Sequence, residues 1–195
     1  PLVAEAFGAQ RSRQVGQVTR QGLWLATLLS IPLTGLVWNG AWLVQLVGLS
    51  AEAIALTNSY LTAIVWGIFP GLCFAALRST ASALSQARIV MIIVVFGTAL
   101  NIGWSSTISL WFMFLVLLAY LGLHPAFKVY ALFHQPFRFN YPVFKELVRI
   151  GLPIGGLISI EGGMFTLATF LMARFGTTTL AAHQVALQSA AIAFN

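Results

Sequence analysis

From Ile89 to Leu123 the chain runs about 35 residues without one charged side chain. Three more stretches, 21–47, 53–77 and 150–172, are almost as apolar. No water-facing surface can be made from such runs. Their solvent must be lipid, and lipid offers a backbone N–H or C=O no partner. Only helices, or closed barrels of alternating strands, satisfy the backbone there. The runs are continuous rather than alternating, so helices are expected.

Composition agrees: 59% of residues are hydrophobic and 7% are charged. A soluble domain carries about 25% charged residues. The 195 residues leave room for roughly six or seven spans of about 20 residues plus loops. The fold class expected is therefore all-α and polytopic.

The formal net charge is +6, but the basic residues form no single patch of the kind nucleic acid requires. They fall in short segments between apolar runs. Arg11, Arg13 and Arg20 lie in 10–20, and Arg78 and Arg88 bracket 78–88. Lys128, Arg138, Lys145 and Arg149 follow in 124–149. The turn at 48–52 has only Glu52. The positive-inside rule makes the basic loops cytoplasmic and 48–52 outward. Trp24, Trp38 and Trp42 sit towards the ends of the first span, as in an aromatic belt.

The run 89–123 breaks the count. Basic flanks on both sides require an even number of crossings. A hairpin breaking at Asn101-Ile102-Gly103 leaves Ile89 to Leu100 at roughly 18 Å, against a core of about 30 Å. Three readings stay open: a distorted hairpin, residues missing near 102, or one tilted helix that violates the charge rule. Residues 124–144 read as a linker, broken by Pro125, Pro136 and Pro142. Its interleaved aromatic and basic residues suit either an interfacial segment or a solvated loop.

One charge stands inside a span. Glu161 lies roughly 16 Å along a helix from either end of 150–172. A carboxylate that deep is costly and marks an ion, proton or substrate path. It is either a protonated carboxyl hydrogen-bonded in the bundle or a group that binds and releases H⁺ or Na⁺. Arg174 is about 20 Å away along the helix and is no intrahelical partner. Gly151, Gly155, Gly156, Gly162 and Gly163 share the helix and read as close-packing positions. Pro32 and Pro70 read as tolerated kinks. His183 and Gln184 could supply an interhelical hydrogen bond or a polar wall of the path. Asn101 and Tyr60 could line a cavity, though a structural hydrogen bond explains them as simply. The single Cys73 excludes an internal disulfide. No enzyme constellation and no zinc spacing occurs. The start at Pro1 and the stop at Asn195 inside an apolar helix suggest a piece of a longer chain.

Five segments in order, PLVAEAFGA, QVGQVTRQGLWLA, ALRSTASALSQAR, ELVRIGLPIG with Glu161 downstream, and LAAHQVALQSAA, resemble the MATE (multidrug and toxic compound extrusion) family, most closely its bacterial cation-coupled branch. The resemblance implies a fragment of a twelve-helix transporter built from two six-helix lobes. It would run from the end of the family's second helix to part of its eighth. Residues 1–123 would belong to the amino-terminal lobe, 124–144 to a cytoplasmic inter-lobe linker, and 145–195 to the start of the carboxy-terminal lobe. It implies an antiporter of the bacterial inner membrane that exports amphipathic or cationic compounds in exchange for H⁺ or Na⁺. Glu161 would be its cation-coupling residue, and no enzyme activity or cofactor is implied. No metal is expected beyond a Na⁺ at Glu161. Expected partners are the lipid bilayer and small amphipathic or cationic substrates, with no nucleic acid, and a monomer. Relative to the family, roughly two dozen residues are missing between Asn101 and Gly103-Trp104-Ser105-Ser106-Thr107, about what two crossings need. Glu5 replaces the usual glutamine. A lipid-linked oligosaccharide flippase of related fold would need a strongly basic central cavity. A non-transporting scaffold would have no use for Glu161.

Overall fold

The computed structural model describes residues 2–40, 51–103, 106–130, 132 and 139–194. Trp42, most of the turn at 48–52, Trp104, Ser105 and linker positions 133–138 lie outside the described residues. Among the described residues eight helices follow one another: α1 Leu2–Gly8, α2 Ser12–Trp38, α3 Ala51–Ala83, α4 Ala87–Gly103, α5 Ser106–Leu123, α6 Pro125–Lys128, α7 Tyr141–Arg174 and α8 Thr177–Phe194. No strand occurs among the described residues. Four stretches are long and apolar enough to cross a membrane: Ser12–Trp38, Thr57–Ala83, Ser106–Leu123 and Tyr141–Ala173. The chain is an all-α, multi-pass membrane protein.

The basic segments are not loops. Residues 12–20 belong to α2, and Arg78 lies inside α3. Nothing in RSRQVGQVTR breaks a helix, and Val15, Val18, Thr19 and Ala26 recur on one buried face. The true stops are short. Gln10 and Ser85 adopt positive φ of 56° and 61°. Arg11 N–H then donates to Ala6 O at 2.9 Å, and Gln86 N–H to Ala81 O at 2.9 Å. Gln10 N–H and Ser85 N–H close onto Phe7 O and Ser82 O. Both turns are Schellman closures built without glycine. At 175–176 the stop is Gly176, φ 108°, and Thr177 already begins α8. The turn expected over 176–179 is therefore two residues long.

The run 89–123 is a hairpin, not one tilted helix: α4 and α5 pack side by side. With 17 residues, α4 is about 25 Å long, short of a core of about 30 Å.

The chain divides into two compact units, Pro1–Leu147 and Val148–Asn195. In the first, α2 packs on α3, α3 on α5, and α1 on both α2 and α3. Its core joins Val15, Phe74, Leu77, Leu84, Phe114, Leu117 and Leu121. Glycine permits the close approaches. A Cβ on Gly97 would stand 2.3 Å from Met113 Cγ, and one on Gly67 2.9 Å from Leu110 Cδ1. Thr19 and Thr80 hydroxyls face each other across α2 and α3 at 3.4 Å. Each also donates to the carbonyl four residues back, so the contact between them is chiefly packing.

Pro70 sits inside α3 and has no N–H to give the carbonyl of Trp66. The indole Nε1–H of Trp111, on α5, donates to that carbonyl at 3.0 Å. One turn away, Thr107 Oγ1–H donates to Ala63 O at 2.7 Å. The neighbouring helix thus answers the group the proline orphans.

The segment read as a linker is docked on the first unit where it is described. Phe127 and Leu132 are 4% and 2% exposed and belong to its core. Arg20 Nη1 donates to Leu132 O at 3.4 Å. Phe7 meets Tyr130, and Trp24 meets Phe139 edge-on at 6.5 Å. These residues are neither a solvated loop nor a free tether.

Two outcomes are expected. Trp111→Phe keeps the ring but loses the donor, and should cost about 1 kcal/mol in thermal unfolding of the detergent-solubilised protein. In a Pro70→Ala background the helix supplies its own N–H, so the same change should cost much less. Equal costs in both backgrounds would refute the pairing. A cysteine at Leu132 should label with maleimide far more slowly than one at Tyr141, which is 64% exposed. Arg20→Ala should speed labelling at 132 by releasing its carbonyl.

Candidate functional site

Glu161 lies on α7, a 34-residue helix, and its helical neighbours are all apolar. Leu157 and Ile158 precede it by one turn and Met164 and Phe165 follow it by one turn, and all four are exposed. Glu161 is exposed as well. It makes no hydrogen bond or ion pair with another described residue. The helix builds a lone carboxylate within an apolar face because nothing between Pro153 and Arg174 offers a charge. Such a group can take up a proton or a small cation. The nearest cations along its helix, Arg149 and Arg174, stand about 18 and 20 Å away.

His183 and Gln184 lie on α8, in the same unit as Glu161. Gln184 is exposed and His183 half-buried. His183 Nε2 is buried without a hydrogen-bond partner among the described residues. Neither residue bonds to Glu161, so the three share a unit without forming a bonded cluster. Asn101, in the last turns of α4, and Tyr60, on α3, are exposed and belong to the first unit. Asn101 forms no structural hydrogen bond with another described residue, and neither does Tyr60. Among the described residues no group of three His, Cys, Asp or Glu could hold a metal ion.

The glycines of α7 correct one expectation. A Cβ built on Gly151, Gly155, Gly156, Gly162 or Gly163 would meet nothing within 4 Å. They are not buried close-packing positions against a described element. That role falls to Gly67 and Gly97; Gly67 belongs to the spacing Gly67-xxx-Gly71 on α3, and Gly71 also faces Leu110.

The MatE family model matches residues 1–107, more than half of the chain. The chain belongs to the MatE family. Curated relatives agree along its whole length. A probable multidrug resistance protein NorM of Synechococcus is 37% identical over 215 residues, covering 100% of this chain and 46% of the relative. The NorM relative of Synechocystis is 38% identical, with 100% and 47% covered. That of Bradyrhizobium diazoefficiens is 32% identical, with 100% and 46% covered. The chain therefore spans about half the length of the curated relatives it matches. These alignments run over 215 positions, against 195 residues in the chain, so the relatives carry about 20 residues that it lacks.

Proposed function

We propose that the protein carrying this chain is a secondary antiporter of the bacterial inner membrane. It exports amphipathic or cationic compounds in exchange for H⁺ or Na⁺, without enzymatic chemistry or a cofactor. The relatives' names as probable multidrug resistance proteins support the substrate class. Access would alternate between two lobes, with residues 1–123 in one, 145–195 opening the other, and 124–144 joining them. The deficit of about 20 residues is close to the roughly two dozen that the family resemblance finds missing after Asn101, and we place it near residue 102.

The observation that carries the reading is Glu161. A carboxylate surrounded by Leu157, Ile158, Met164 and Phe165 has no structural partner to justify its cost in lipid. Ion coupling gives it a use: loaded with H⁺ or Na⁺ on one side of the membrane and emptied on the other. His183 and Gln184, on the following helix, would line its path. Asn101 and Tyr60 would line a substrate cavity of the amino-terminal lobe. Glycines flanking Glu161, at 162 and 163, leave room at the helix surface for an ion or substrate to approach.

Glu161→Gln in the full-length protein should abolish dye efflux driven by an ion gradient while leaving membrane insertion intact. Efflux that survives the change at near wild-type rate removes Glu161 from the coupling role.

A further inference from the structure

We infer that the end of α2 bearing Arg11 and Arg13 holds a binding site for the phosphate head group of an anionic phospholipid. Three cavities lie there, all within the first unit. One, of about 480 Å³, is lined by Phe7, Gly8, Gln10, Arg11, Ser12, Val129 and Tyr130. A second, also about 480 Å³, is lined by Gln10 to Gln14, Gln17 and Val143. The third, about 340 Å³, involves Gln17, Arg20 and the 139–142 segment. The volumes fall in the range of small-ligand sites, about 300–1,000 Å³.

The cavities are continuous in their linings. Gln10, Arg11 and Ser12 belong to both larger ones, and Gln17 belongs to the second and third. Each contains at least one arginine, and none contains an aspartate or glutamate. The four acids of the chain are Glu5, Glu52, Glu146 and Glu161. Arg11 and Arg13 are both exposed, so their guanidinium groups are accessible. Serine, glutamine and tyrosine side chains in the linings add neutral donors. The result is a concave surface of donors with net positive charge and no built-in anion.

The chemistry that fits is a phosphate oxyanion. Guanidinium binds phosphate through paired N–H donors. The location selects the source. Arg11 and Arg13 stand where the membrane-spanning helix Ser12–Trp38 begins, the depth at which head groups lie. Phe7, Val129 and Tyr130 form the apolar and aromatic side of the first cavity, which suits the glycerol and upper acyl region better than it suits a free anion. Basic pockets between spans at an interface are places where anionic head groups dock. Arg20 already donates to Leu132 O, so the site rests on Arg11 and Arg13. The inference depends on the chain spanning a bilayer, and not on what the protein exports.

The test is a lipid titration of the purified full-length protein in detergent, read by native mass spectrometry. Phosphatidylglycerol should bind about 25-fold more tightly than phosphatidylcholine, since two surface arginines contribute roughly fivefold each. Arg11→Gln/Arg13→Gln should lower phosphatidylglycerol affinity about 25-fold on the same basis and leave phosphatidylcholine unchanged. Arg11→Lys/Arg13→Lys keeps both charges and should keep the preference, which guards against a folding defect in the glutamine pair. The control Arg78→Gln/Arg88→Gln should stay within about twofold of wild type, because the site excludes those arginines. Wild-type affinity in the glutamine pair, an equal loss in the control pair, or loss of the preference in the lysine pair would overturn the site. Displacement of the lipid by inorganic phosphate at equal concentration would reassign it to a free anion and overturn the lipid assignment.

Discussion

The architecture depends on one constraint: a backbone carbonyl or amide in lipid has no water to turn to. Every interruption of a helix must therefore be answered from inside the protein. Pro70 shows the rule most directly. It withholds an N–H from Trp66 O, and Trp111 on the neighbouring helix supplies one at 3.0 Å. The stops at Gln10 and Ser85 follow the same logic, with the departing chain closing back onto the last carbonyls. The hydroxyls of Thr19, Thr27, Thr62 and Thr80 bond the carbonyl of the preceding turn. Packing of α3 against α5 is thus tied to the backbone chemistry of α3 itself.

Close approach in this protein is local. Gly67 and Gly97 bring backbones near Leu110 and Met113, and no substituent larger than hydrogen fits at Gly97 without moving Met113. The glycine-rich face of α7 has no such neighbour within its unit. Spacing of small residues is therefore not sufficient: Gly67 and Gly71, four apart on α3, both meet Leu110, while the same spacing on α7 meets nothing. A small-xxx-small pattern says that two backbones can approach, and only a partner makes them do so.

The few charges have divided roles. Arg20 fastens the segment around Leu132 to α2. Arg11 and Arg13 line acid-free cavities at the start of a span. Glu161 alone stands within an apolar face far from any such cluster along its helix. Membership of the MatE family places these features in a membrane transporter lineage.

The candidate site was legible in part. Glu161 was visible in the sequence because one charge in a 23-residue apolar stretch has a cost that needs no structure to estimate. Its surroundings were not, since His183 and Gln184 reach it or fail to reach it by helix placement. Helical class, the spans and the family were written in local hydropathy and short motifs, whereas Asn101-Ile102-Gly103, read as a possible hairpin break, stays helical in α4. Hydropathy and motifs report on a residue's own solvent and near neighbours. The continuation of α2 through the arginines, the burial of Phe127 and Leu132, the donor for Trp66 O and the cavities at Arg11 and Arg13 were decided only by tertiary structure. Those features depend on which surfaces meet across distant parts of the chain, and hydropathy does not encode a partner.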